Sequence, residues 1–348
     1  MSLMLVAVYY NNKQIPVEEF PMPEIGEEEI LLKVMASGIC GSDVLEWYRL
    51  PKAPRVLGHE VTGVIEQIGK KVTANLKIGD PVFVSHHVPC NTCIHCQKGH
   101  HTACETLQNT NYFPGGFAQY IKVPKINVQT GIYKLPDNLT FEEGTFIEPL
   151  ACVTRGQRLA NIQKDDTVLI IGSGISGILH TQLAKFKDIK KIIVADINPY
   201  RMNLAVQFGA DYAFNADESL PQKIKALNNG RLADKVIVCT GAPPAVTLAT
   251  NCIEKGGTIL FFAVPEPTIK MPLPINQFWR NEITIQTSYG AAPNDLEEAL
   301  SILATKKLNV KDMITHKLPL RETQEGFQLM TNNGESLKII LEPNNSNL

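Results

Sequence analysis

The sequence predicts an α/β chain in which a β-rich N-terminal part is followed by a parallel sheet carrying helices on both faces. Three observations lead there. Residues 1 to about 150 hold short apolar runs punctuated by Gly, Pro and Asp, and from about 155 to 288 strand-like and helix-like stretches alternate. The alternating part opens on Thr167-Val168-Leu169-Ile170-Ile171-Gly172-Ser173-Gly174-Ile175-Ser176-Gly177, five strand formers entering a G-x-G-x-x-G turn from which a helix-compatible run leaves.

In the first part, apolar Met1 to Tyr10 has neither a basic leading segment nor a small-residue cleavage site and reads as a strand. Further strands are expected at Ile30–Ala36, Val61–Ile68 and Pro81–Val84, at a spacing that suggests a barrel-like β domain. In the second part strands are expected near 167–171, 191–195, 235–239, 258–263 and 283–287, with helices near 175–187, 199–208, 219–228 and 243–254. This alternation implies right-handed βαβ units. The tail has a helical period from Asp295 to Lys307, then extended segments at Ile314–Leu318 and Leu337–Leu341; polar Asn344 to Leu348 reads as a fraying end.

The glycine turn points to a Rossmann domain in the second part, its other reading being a glycine-rich turn in some other α/β domain. Gly172 permits the tight turn, Gly174 lets backbone approach a pyrophosphate, and Gly177 lets helix pack closely on strand. Helix N-terminal amides favour the phosphate charge. The next strand ends in Asp196, where an acid binds a ribose 2′-hydroxyl and would repel a 2′-phosphate, so NAD is expected rather than NADP. Arg201, five residues on, is the feature pointing toward NADP; stacking on adenine or packing on apolar surface are its other readings. Ser173, Ile175 and Thr240, the last just past the strand near 235–239, complete the expected cofactor set.

Composition narrows the class. A chain of 348 residues can bury a large core and suggests more than one domain, and a net charge of −2 gives no electrostatic grip on nucleic acid or anionic lipid. No apolar run approaches the roughly 18 residues that span a bilayer. The cytoplasm is the expected compartment. Of eight cysteines, four lie in Cys90-x-x-Cys93-x-x-Cys96-x7-Cys104, and clustered thiolates suit a metal better than a disulfide framework here. Four thiolates close a tetrahedral Zn²⁺ shell, and a closed shell is structural. The neighbouring His86, His87, His95, His100 and His101 read as solvated loop residues, and Cys152, Cys239 and Cys252 as ordinary buried thiols.

A second, dispersed group contains Cys40 in Gly38-Ile39-Cys40-Gly41-Ser42-Asp43, His59 and Glu60 in Gly58-His59-Glu60, and Glu148 in Ile147-Glu148-Pro149-Leu150. One thiolate, one imidazole and one carboxylate leave an open zinc position, as catalysis requires. By spacing alone Cys40 could equally be a buried thiol, His59 a satisfied core histidine, and Glu148 a helix N-terminal acid.

These motifs, with Gly115-Gly116-Phe117-Ala118-Gln119-Tyr120 and the glycine turn, resemble in content and order the zinc-dependent medium-chain dehydrogenases, and most of all their polyol, sorbitol-type branch. The resemblance covers nearly the whole chain. It implies a GroES-like catalytic domain over 1–154, with a structural zinc lobe at about 86–106, a Rossmann domain over 155–288, and a C-terminal return to the catalytic domain over 289–348. It implies two zincs per chain. Cys40, His59 and Glu148 would hold the catalytic one, with Glu60 as the alternate, and Cys90, Cys93, Cys96 and Cys104 the structural one. It further implies Ser42 as first proton relay and Asp43 orienting His59, beside their readings as turn or cap residues.

Two departures stand out. Many alcohol dehydrogenases of this superfamily carry a relay histidine after Cys-x-Ser/Thr, whereas this chain reads Val44-Leu45-Glu46-Trp47-Tyr48, so the proton is expected to leave through water or a ribose hydroxyl. Polyol dehydrogenases often have Arg-Tyr after the last Rossmann strand, where this chain has Ser288-Tyr289. The expected function is therefore NAD-dependent interconversion of a secondary alcohol (polyol, cyclitol, aminocyclitol or simpler) and its ketone, by a homo-oligomer, dimer or tetramer. The alternatives are a threonine-type amino-alcohol dehydrogenase, which usually has aspartate at the position of Glu148, and a non-catalytic NAD-binding relative.

Overall fold

A computed structural model describes residues 2–271, 273–332 and 335–345. The chain divides into two compact units, the first of residues 1–149, 291–306 and 310–348 and the second of residues 150–290 and 307–309.

The first unit is built on a mixed sheet whose central strand, Ile30–Gly38, is flanked by Glu60–Ile68 and by the C-terminal strand Lys338–Glu342. The sheet continues through Pro81–Ser85 and Ile132–Lys134 on one side and Ile314–Pro319 on the other, while Tyr120–Val123 also pairs with the central strand. A smaller sheet joins Val17–Pro21, Leu3–Tyr9 and Arg55–Val56. Val6, Ile30, Val34, Ile65, Phe117, Phe327 and Ile339 fill the core between them. Register matters most at one point: Gly38 lies opposite Glu60, and Ile340 opposite Gly38. The chain segments carrying Cys40 and His59 therefore leave the sheet at the same place.

The second unit has six parallel strands in the order Tyr212–Asn215, Lys191–Asp196, Thr167–Ile171, Ala233–Val238, Ile253–Phe261 and Thr284–Thr287. Thr167–Ile171 is buried along its whole length, as a strand covered by helices on both faces must be. Strand order reverses on either side of it, which places a ligand crevice at its carboxyl end. The helices Ile175–Phe186, Pro199–Gln207, Leu220–Leu227 and Pro243–Cys252 fall where the alternation predicts them.

Several elements differ from expectation. Tyr212–Asn215 is an additional strand, only four residues long and half exposed, so its pattern carries no burial signal. Ile147–Leu159, Ile275–Asn281 and Thr323–Thr331 are further helices. The tail does not fray at Asn344, whose side-chain amide donates to the carbonyls of Val34 and Gln119; residues 346–348 lie outside the described residues. No helix among the described residues is long and apolar enough to cross a membrane.

Candidate active site and metal centres

Cys40 sits two residues beyond the end of the central strand, and His59 one residue before Glu60–Ile68 begins. The Gly38–Glu60 register brings them together: ligand atoms of Cys40, His59 and Glu60 all lie within 4.8 Å of one another. A soft sulfur, an imidazole nitrogen and a carboxylate oxygen form a donor set that suits zinc with one position left open. Glu148, in the first turn of Ile147–Leu159, is not part of that group. It stays close by, since burial and then the charges of Glu148, Asp43 and Glu60 all push the Tyr112 phenol well above its ordinary pKa. Of the two candidate carboxylates, Glu60 is thus the one within ligand reach. It is also engaged from behind by Lys338, which is fully buried and whose ammonium further donates to the Ile39 carbonyl at 3.3 Å.

Asp43 ties the site together. Its Oδ2 accepts from the Cys40 amide at 3.0 Å, and Oδ1 lies 3.5 Å from His59 Nδ1 and 2.7 Å from Arg49 Nη2. Burial works against the Asp43 charge, but His59 and Arg49 overcome it and hold the carboxyl at about 2. Burial likewise disfavours His59 as a cation; Asp43 and Cys40 outweigh it and raise its pKa well above the usual imidazole value.

Ser42 Oγ lies 3.5 Å from Cys40 Sγ and accepts from Arg49 Nη2 at 2.9 Å, while Arg49 Nε donates to the Ser42 carbonyl at 3.0 Å. Arg49 is the partner that sequence reasoning missed. It stands seven residues from Ser42, and nothing in its spacing connects the two.

His86 and His87 are corrections. They are not solvated loop residues: His86 packs on His59 with ring centroids 5.0 Å apart and on His87 at 3.8 Å. Burial, then His87 and His59, depress the His86 pKa well below the ordinary value, and its Nδ1 is buried without a partner. The strand Pro81–Ser85 delivers both rings to the site by pairing with Glu60–Ile68, a non-local contact. His95 and His100 are exposed and His101 half-buried.

The Cys90–Cys104 lobe is self-contained. Its four sulfurs lie within 4.8 Å of one another, with Cys93–Cys96 at 3.5 Å and Cys90–Cys104 at 3.6 Å. A tetrahedron with Zn–S bonds of about 2.3 Å has edges of about 3.8 Å, so the set fits a closed zinc shell. Asn91 (φ 59°) and Gly99 (φ 79°) make the left-handed bends that turn the chain back on itself, and Leu107 packs under the sulfurs. Elsewhere Cys252 is buried as expected, while Cys152 and Cys239 are only partly so.

In the second unit Gly172 adopts φ 92°, and a Cβ on Gly177 would stand 1.9 Å from the Gly172 carbonyl oxygen, so neither position admits a side chain. Gly174 caps Ile175–Phe186. Asp196 is fixed by the turn: Oδ2 accepts from the Ser173 amide at 2.7 Å and its hydroxyl at 2.9 Å, and Oδ1 from the Asn198 amide at 2.9 Å. Thr240 lies against Gly172, and Arg201 reaches to within 3.9 Å of where a Gly174 side chain would begin, its Nε buried without a partner. The structure therefore gathers Gly172, Ser173, Gly174, Ile175, Gly177, Asp196, Arg201 and Thr240 around one turn.

A glycine turn of this kind in one unit and an open zinc-type donor set in the other define a zinc-dependent nucleotide oxidoreductase. The sequence matches the family "Zinc-binding dehydrogenase" over residues 176–305 and "Alcohol dehydrogenase GroES-like domain" over 26–137. It is 31% identical to sorbitol dehydrogenase of Bacillus subtilis over 98% of each chain. Among solved structures, an alcohol dehydrogenase of Thermus sp. ATN1 superposes with a TM-score of 0.85 at 28% identity, covering 97% of this chain and 99% of that one. An Escherichia coli alcohol dehydrogenase complexed with NADH superposes with a TM-score of 0.85 at 25% identity, over 98% and 100%. The chain belongs to the zinc-dependent medium-chain polyol dehydrogenase family. It is a dehydrogenase that works with zinc and a nicotinamide cofactor.

Proposed function

We propose that the chain oxidises a secondary alcohol of the polyol type to its ketone, with NAD as hydride acceptor and two zincs of separate role. The observation that carries this is the convergence of Cys40, His59 and Glu60 within 4.8 Å, beside a hydrogen-bonded Ser42. When bound there, zinc would supply Lewis-acid lowering of an alcohol's pKa, and a nicotinamide would serve as hydride acceptor. The chain's residues do the rest. Cys40 and His59 would hold the metal with one carboxylate, Glu60 by proximity, Glu148 being the neighbour able to take its place. Asp43 fixes the His59 ring through Nδ1. Ser42 Oγ accepts the substrate proton and passes it outward, while Arg49, donating to the same oxygen, fixes its orientation and favours its release of a proton. Cys90, Cys93, Cys96 and Cys104 would hold the second zinc, which would keep their lobe folded.

The sorbitol dehydrogenase relative supports a polyol substrate. Asp196 supports NAD: a 2′-phosphate would meet a carboxylate fixed by three hydrogen bonds. Cysteines clustered as a metal-binding set rather than spread as a disulfide framework support the cytoplasm. A homo-oligomer is supported by the strand Thr284–Thr287, largely exposed and without a further strand beside it among the described residues, with Trp279 75% exposed nearby in sequence. The reading is tested by following reduced cofactor with zinc-loaded protein across polyols, cyclitols and amino alcohols. NAD⁺ should be preferred over NADP⁺ by at least about tenfold in kcat/KM, roughly 1.4 kcal/mol, and Asp196→Ala should narrow the gap. Equal use of NADP⁺ would overturn the role given to Asp196.

A further inference from the structure

Lys338 opens the C-terminal strand, and its side chain is buried, as is that of Glu60. A lysine is almost never buried without a partner, and this ammonium has three. It pairs with Glu60 through Oε2, donates to the Ile39 carbonyl at 3.3 Å, and lies 5.7 Å from the centre of the Phe146 ring. An ammonium has three N–H donors and an aromatic face attracts a cation, so these contacts account for all of them. The partners stand on the three chain segments that carry the candidate metal ligands. Ile39 adjoins Cys40, Glu60 adjoins His59, and Phe146 stands two residues before Glu148. The pair also lies directly on Gly38: a Cβ there would stand 2.7 Å from the Lys338 ammonium nitrogen and would collide with Glu60 Oε2. Backbone without a side chain is what lets both charged groups in. Glu60 thus faces two ways. Its Oε2 is held by a lysine, and the same carboxylate belongs to the group whose ligand atoms lie within 4.8 Å of one another.

We infer that Lys338 is a resident counter-cation that competes with the catalytic zinc for the charge of Glu60, a positioning residue acting on the metal through that carboxylate. This rests on the open-site zinc reading above and adds a residue to it. One carboxylate charge divided between two buried cations gives less to each, and the cations repel one another. Zinc would therefore be held less tightly than the donor set alone would hold it, and would keep more of its pull on an alcohol oxygen. The ammonium equally keeps Glu60 from standing as an unpaired buried charge before metal arrives. Asp43 leaves Lys338 to Glu60, being engaged by Arg49 and the Cys40 amide. Removing a lysine that served only the sheet would leave metal binding unchanged or weaker.

The test measures zinc binding at the open site of the full chain, by titration against a chromophoric chelator once the cysteine lobe is filled. Lys338→Gln removes the charge but keeps a hydrogen-bond donor, and Lys338→Met removes both. Each should bind the open-site zinc at least about tenfold more tightly than wild type, while Lys338→Arg, which keeps the charge, should stay near it. With cobalt(II) in place of zinc, the visible absorption bands should shift in the two neutral variants and hold in Lys338→Arg. Without metal, the neutral variants should unfold at a lower temperature than wild type, and zinc should raise that temperature by more. Open-site affinity equal to or weaker than wild type in both neutral variants would overturn the inference and leave the dehydrogenase reading standing. A wild-type chain that takes up only the lobe's zinc would count against the open-site reading instead. A neutral variant that then takes up a second zinc would still bear out the competition, and one that does not would refute it.

Discussion

The Cys90–Cys104 lobe and the Cys40/His59/Glu60 group differ in where their donors come from and in what surrounds them. The lobe draws four like donors from fifteen consecutive residues and packs them on a small core of its own, Leu107 with the buried Cys96 and Cys104. The other group draws three unlike donors from two strand ends, and charges crowd it: Asp43 and Arg49 on one side, Lys338 behind Glu60. A closed set of identical donors needs only local folding. An open set must be held by the surrounding structure against the cost of a missing ligand, so the large sheet and its buried ion pairs serve positioning as much as stability.

That comparison can be broken by removing ligands from each site. His59→Ala has the largest expected effect: turnover falls by at least about a thousandfold while the fold and cofactor binding persist. A variant with wild-type rates would dissolve the distinction between the sites. Cys93→Ser should act on stability instead, lowering the unfolding temperature or causing aggregation, because structural zinc contributes folding free energy directly. Folded Cys93→Ser of undiminished thermal stability and full zinc content would refute the structural role.

Finer changes sharpen the contrast. Ser42→Ala should retain metal and cofactor but slow alcohol oxidation by about a hundredfold with an altered pH profile; wild-type rates at every pH would remove Ser42 from the proton path. Asp43→Asn keeps the shape but weakens the hold on His59, so zinc affinity should fall by about tenfold to a hundredfold, with the lobe's zinc unaffected. Asp43 also sets an acid limit on stability. Its folded pKa of about 2 lies below its ordinary value of 3.8, so its contribution is present above about pH 4 and lost as pH falls through 2. Acid unfolding of Asp43→Asn, followed by circular dichroism, should lack this component.

The same difference explains what could be read from the sequence. The lobe and the glycine turn are legible because their chemistry is local: four cysteines or three glycines at fixed spacing suffice, and the structure gathers both sets. Cys40 and His59 are legible as candidates by resemblance, yet their meeting depends on the Gly38–Glu60 register. The choice of carboxylate is not legible, because Glu60 adjoins His59 in sequence while Glu148 arrives on the helix Ile147–Leu159, and spacing cannot measure either distance. Arg49 and Lys338 escape notice, and His86 and His87 are misread as solvated, for the same reason. Lys338 is 278 residues from the glutamate it pairs with, and in sequence it is simply a lysine opening an apolar strand.

Zinc content of the purified chain tests the two-site account most directly, counted per chain by elemental analysis for the wild type and for His59→Ala. The account predicts about two zincs in the wild type and about one in the variant, the survivor being held by the cysteine lobe with thermal stability largely kept. One zinc in both proteins, or two in both, would contradict it.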